Sequence, residues 1–174
     1  MLATYGNDLY KLVLTLHILC AIVGFGAVVL NAIYGQQAKA RRGTEGLAIA
    51  EANYLVSKIG EYFIYAVFLL GIALVLIGDN SPQIGFDRTW IWLSILVFIA
   101  ALGISHGMLM PRVRRLHALM NELIHMGPPA PGATAPPPQV AEMEQLGKKL
   151  GVVGPILNLA LIVILFLMVW KPGL

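Results

Sequence analysis

Four stretches of this chain are too long and too apolar to suit water: about 9–34, 58–78, 89–110 and 151–170. A helix needs roughly 20 mostly apolar residues to cross the hydrocarbon core of a bilayer, and each stretch supplies about that number. The second is apolar from about residue 61 and gains length by extending back through Lys58 toward Tyr54. In lipid every backbone N–H and C=O must be paired inside the protein, which separate apolar runs achieve as helices. Composition agrees. Of 174 residues, 58% are hydrophobic and 12% charged, about half the charged fraction of a soluble domain. The spans leave no room for a second domain, so residues 1–174 are expected to form one membrane unit. The first span does not read as a cleaved signal peptide: its apolar run outlasts an h-region, and no small-x-small site follows it.

Charge sets the expected orientation. Lys39, Arg41, Arg42 and Lys58 lie between the first two spans, and Arg112, Arg114, Arg115, Lys148 and Lys149 between the last two. Only Lys11, Arg88 and Lys171 remain for the other side. Basic loops stay in the cytoplasm. Both termini are therefore expected outside, with two cytoplasmic loops and one short outer loop near 78–88. The net charge of +3 needs no nucleic acid to explain it, because anionic headgroups attract such loops.

The connections are partly helical. "GLAIAEANYLVSKIGEYF" has helical spacing and leads into the second span, while "GDNSPQIGFDR" is turn chemistry. Trp90, Trp92 and Trp170 fall where interfacial aromatic belts belong. Beyond Pro111 the third span continues as "RVRRLHALMNELIHM", an amphipathic cytoplasmic extension. The segment 127–139, "GPPAPGATAPPPQ", has six prolines and reads as a linker. Pro128 and Pro131 also fit a PxxP ligand. A short helix, "QVAEMEQLGKKLG", leads back to the fourth span. The fold expected is all-α: a polytopic membrane protein, an antiparallel four-helix bundle whose third helix extends into the cytoplasm.

Helices in lipid associate through small residues, close packing and polar contacts, so small or polar stripes should mark the inward faces. The first span offers Tyr10, His17, Gly24 and Asn31, each seven apart. The second offers Glu61, Tyr65, Gly71 and Gly78. The third offers Ala100, Gly103, His106 and Gly107, and the fourth Gly147, Gly151, Gly154 and Asn158.

Ionisable residues inside a membrane are costly and are functional candidates by default. At about 1.5 Å per residue, His17 lies near 13 Å below the outer end of its helix, and His106 near 25 Å. Glu61 matches the level of His106. An inner polar cluster of Asn31, Glu61, Tyr65, His106 and Asn158 follows, in which Glu61 and His106 can pair. It reads either as a structural network or as a proton-handling or headgroup pocket. His17 stands apart. A neutral imidazole in an apolar slot either bonds a carbonyl or ligates haem iron, and the depth difference keeps His106 from the same iron. His117, Asn121 and His125 read as a solvated face, short of a metal site. Cys20 alone can form no intrachain disulfide and reads as a packing residue. Walker, dinucleotide-binding, EF-hand and zinc-protease motifs are lacking.

"YKLVLTLHILCAIVGFGAVVLN" and "LIVILFLMVWKPGL" resemble a family of predicted bacterial four-helix integral membrane proteins of unknown function, which implies a bacterial inner membrane. "LHILCAIVGFGAVVL" is more distantly similar to the first helix of the haem-binding protoporphyrinogen oxidase family and of D-type copper-resistance proteins. That second resemblance implies a haem role for His17 only. Two functions are expected as alternatives, ahead of a third, a proton-coupled carrier using Glu61 and His106, against which four spans without broken helices or repeats argue. One is a non-catalytic accessory or structural subunit that meets other membrane subunits or further copies of itself. The other is a b-type haem redox protein or oxidase, with haem b on His17 as the cofactor and sole metal.

Overall fold

The computed structural model describes residues 7–41, 43–78, 84–127 and 137–173. The turn residues Asp79 to Pro82 and most of the proline-rich linker, with Pro128 and Pro131, lie outside them. Helix α1 is Asp8–Ala40, α2 Thr44–Gly78 and α3 Thr89–Ile104. A π-helical turn, Ser105–Leu109, joins α3 to α4, Met110–Met126, and α5 is Pro138–Trp170. Four helical stretches are long and apolar enough to cross a membrane, α3 to α4 counting as one. Their outward faces are apolar: Leu69, Leu96 and Val169 are each more than 60% exposed, as suits side chains whose solvent is lipid.

The first two helices run on well past the apolar segments. With 33 and 35 residues they reach about 50 Å each at 1.5 Å per residue, against about 30 Å of hydrocarbon. The connection over 36–57, expected to be helical from Gly46 onward, is helical up to Ala40 and again from Thr44; between them Gly43 has a φ of 70°, the left-handed conformation that glycine takes without strain. Asn7 caps α1 by accepting a hydrogen bond from the Leu9 N–H at 3.3 Å.

An antiparallel seam joins α1 to α2, and its contacts repeat every seven residues. A side chain on Gly78 would meet Tyr10 and Ile84, and one on Gly71 would meet His17. One on Gly24 would meet Ile64. Ser57 donates to Asn31 Oδ1 at 2.9 Å. Residues 10, 17, 24 and 31 thus face 78, 71, 64 and 57. Three of these four layers set a glycine against a larger side chain, so the backbones come close without a void. A strict seven-residue repeat keeps both faces in register through left-handed supercoiling. The approach is also close at Gly60, where an added Cβ would lie 2.5 Å from that of Ala27, and at Gly46, where one would run into the Arg41 carbonyl oxygen.

The second half is built on α3 and α5. The Lys171 ammonium sits 5.6 Å from the Trp90 ring centroid at one end, and Arg115 grips Glu142 through two hydrogen bonds of 2.8 and 2.9 Å at the other. Two apolar clusters hold the halves together. Tyr10, Leu74, Val75, Ile84 and Ile91 form the first. Val67, Phe98 and Ile164 form the second, flanked by Cys20 and Phe25 from α1. Phe68 stacks on Phe98 with centroids 5.2 Å apart. Helix α4 continues α3 and packs against α2 and α5 with Leu119 wholly buried.

The inward stripes expected on α1 and α2 hold at Tyr10, His17 and Gly24 and at Gly78, all buried, with Asn31 and Gly71 half-buried. On the third span Ala100, Gly103 and Gly107 are exposed, and of the expected stripe His106, itself partly exposed, reaches α2. On α5, Gly147 and Gly151 are also exposed, and Gly154 and Asn158 only half-buried. Ile91, Ser94 and Phe98 on α3, and Ile164 and Leu167 on α5, take the inward positions instead. Large apolar side chains fill the wider gap between the two halves, which small ones would leave void.

Candidate functional site

Three side chains meet where α2 passes the π turn. Tyr65 lies one helical turn after Glu61, so both project from one face of α2, and the Tyr65 hydroxyl donates to Glu61 Oε1 at 2.7 Å. His106 lies in the π turn. Its Nε2 is 2.9 Å from Glu61 Oε1 and 2.5 Å from Tyr65 Oη. Its Nδ1 is 3.0 Å from the Leu102 carbonyl oxygen, one turn earlier. The three groups make a closed triangle at the end of the membrane segment, with the His106 side chain 45% and the Glu61 side chain 28% exposed.

The local sequence accounts for the turn. Pro111 has no N–H to offer the preceding turn, and Gly103 and Gly107 weaken the helix before it. The Met110 N–H bonds back to the Ser105 oxygen, five residues away. Such π turns recur at functional sites.

The remaining cluster candidates stay outside the triangle. Asn31 belongs to the α1–α2 seam through Ser57, which also bonds the Asn53 carbonyl at 2.7 Å. Asn158 lies at about the level of the π turn in the α3–α5 register, and its Oδ1 is buried with no partner among the described residues. Sequence reading missed Ser57, the Leu102 carbonyl and the π turn. Ser57 sits one turn before Glu61 on α2, and Pro111 behind two glycines was a signal for the turn.

His17 is about two turns along α2 from the triangle, buried in the seam at 7% exposure. A Cβ added to Gly71 would lie 3.2 Å from its Cε1. The ring bonds the backbone of Val67, and its Nδ1 is buried without a partner among the described residues. As packed, these residues do not fit an axial haem ligand, because a porphyrin would have to enter the seam where the two backbones run close. The groove on the α1–α2 surface, lined by Ile22, Gly26, Leu30 and Gly60 among others, does not include His17.

His117 is not on a solvated face. Its ring stacks on Tyr54 of α2, centroids 5.6 Å apart, with Asn121 Nδ2 3.3 Å from its Nδ1. No cluster of three metal-binding side chains occurs among the described residues.

Four apolar helices paired antiparallel, with ionisable side chains at a helix break, define a polytopic membrane protein. The chain belongs to the DUF2269 family of predicted integral membrane proteins, whose profile matches residues 11–172. No curated protein and no solved structure matches it. The more distant resemblance to the haem-binding oxidase and copper-resistance families finds no support in these comparisons.

Proposed function

We propose that this protein is a non-catalytic accessory subunit of a membrane assembly, held in a bacterial inner membrane with both termini outside. The observation that carries this reading is the outward set of glycines. Gly103, Gly107, Gly147, Gly151 and Gly154 have no neighbour within 4 Å of where a Cβ would lie. Gly103 and Gly107 are an i, i+4 pair, as are Gly147 and Gly151, with Gly154 three residues on, all at one end of the α3–α5 half. Small residues spaced in that way let a further helix approach closely in lipid, and within this chain they serve no such contact. The basic residues on α4 and on the first turns of α5 favour the cytoplasmic side for that end.

Gly151→Leu tests the reading. Extracted in mild detergent, the wild type is expected to migrate as an assembly with a second copy or another membrane subunit. The variant is expected to weaken that assembly about tenfold or more, at unchanged helicity. A wild type that stays monomeric at all concentrations and alone after crosslinking in intact membranes would overturn it. Haem on His17 is the alternative. Its support is the unpaired Nδ1, and it requires the α1–α2 seam to open. A Soret band from haem-replete cells that disappears in His17→Ala would establish it against the accessory reading.

A further inference from the structure

We propose that Glu61, Tyr65 and His106 form a binding site for one proton, shared between the carboxylate and the imidazole at the π turn. The proposal needs no further copy or subunit and stands apart from the accessory role.

The triangle is one hydrogen short. A carbonyl oxygen only accepts, so the contact with Leu102 puts a hydrogen on His106 Nδ1. A neutral imidazole then has a bare Nε2. Around it the three contacts of the triangle share a single hydrogen, that of the Tyr65 hydroxyl. Wherever Tyr65 directs it, an ionised Glu61 would face the Nε2 lone pair at 2.9 Å with nothing between them. One added proton resolves this. On Nε2 it points between Glu61 Oε1 and Tyr65 Oη while Tyr65 donates to Glu61 Oε1, so all three contacts carry a hydrogen. On Glu61 Oε1 it would leave one of the three contacts bare. The proton therefore rests on His106 and is shared with Glu61 through the hydrogen bond between α2 and the π turn.

Two further observations suit exchange of this proton with solvent. The triangle sits at the end of the apolar segment and is partly exposed. The π turn also holds His106 at a break in the helix, where the residues after it are not bound by the regular i, i+4 ladder. The charged and titratable groups facing the site are few among the described residues. From α2 itself comes Tyr62, and from α4 comes Arg114, whose charge acts on Glu61 and opposes the added proton. At that level α1 and α5 bring the neutral Asn31 and Asn158. Exposed as it is, Arg114 is screened by headgroup water.

The test uses the full chain in nanodiscs of zwitterionic lipid, with ¹⁵N-labelled histidine rings followed by NMR from about pH 5 to about pH 9. His106→Gln assigns the His106 signal. Two coupled groups titrate as a pair, so Glu61→Gln is expected to move the His106 midpoint by about one pH unit or more. The other three histidines should stay in place. Tyr65→Phe is expected to move it less. Equal midpoints in the wild type and Glu61→Gln would overturn the proposal. If Glu61→Gln does not fold, the infrared carboxyl band of Glu61 in His106→Gln decides. A band that titrates unchanged from the wild type overturns the proposal, and one that shifts supports it.

Discussion

The two halves of the bundle use glycine in opposite ways. Between α1 and α2 glycine lies inside, against Tyr10, His17, Ile64 and Ala27, and lets two backbones close on each other. In the α3–α5 half, glycine lies outside with open space over it, and Phe98, Ile164 and Leu167 make the contacts. One residue type thus closes a seam in the first half, where Gly26 and Gly35 of α1 nonetheless face open space, and lines an unused surface in the second. In lipid, burial of apolar area between helices brings little, so fit decides. The first half holds through fit at short range. The second is joined to it through large side chains across a wider gap, and through the polar triangle.

That contrast can be broken at its joint. Phe98→Ala removes the ring that stacks on Phe68 and fills the cluster between the halves. A loss of about 3 kcal/mol is expected, read as a lower denaturant midpoint in detergent, while crosslinks between α1 and α2 persist. A cost below about 1 kcal/mol would mean that the halves do not depend on this cluster.

The glycines sharpen it. Gly60→Ala would drive a Cβ to 2.5 Å from that of Ala27, which has no rotamer to move aside, and should destabilise by about 1–3 kcal/mol. Gly151→Ala meets nothing within 4 Å. It should be neutral or stabilise by up to about 1 kcal/mol through helix propensity. Unfolding curves for the two variants are expected to move in opposite directions. Equal shifts would show that the seam is looser than its geometry states.

The smallest effect is expected at the exposed clamp of α4 on α5. Its hydrogen bonds from Arg115 hold the Glu142 carboxyl below the usual carboxylate range. A depressed carboxyl contributes stability above its unfolded value and loses it as pH falls through the folded value. Acidification should therefore lower the amide protection factors in the first turns of α5 in the wild type, and Glu142→Gln should flatten that dependence. Since both partners are exposed, the global midpoint should barely move.

Much of this was legible in residues. Tyr10, His17, Gly24 and Asn31 sit seven apart, and that spacing places them on one face whatever they pack against. Glu61 and His106 were matched in depth by counting 1.5 Å steps along two helices, and they do meet. The outward glycines were not legible. Gly103 and Gly107 share a face with His106 in the sequence, but a glycine carries no sign of which surface it will meet. The π turn was not read either, because Pro111 alone fits equally a kink or a helix end.

By itself, then, the sequence determined that the chain lives in a membrane as four helices, because apolar length and backbone satisfaction leave no other solution in lipid. Which faces turn inward followed from how the helices pack. Contact in lipid depends on the match between two surfaces, and one helix's sequence describes only one of them. The same reason applies to the triangle. Its three residues are 41 and 45 positions apart across the α2–π turn gap, and their hydrogen count has meaning only once they are within reach of one another.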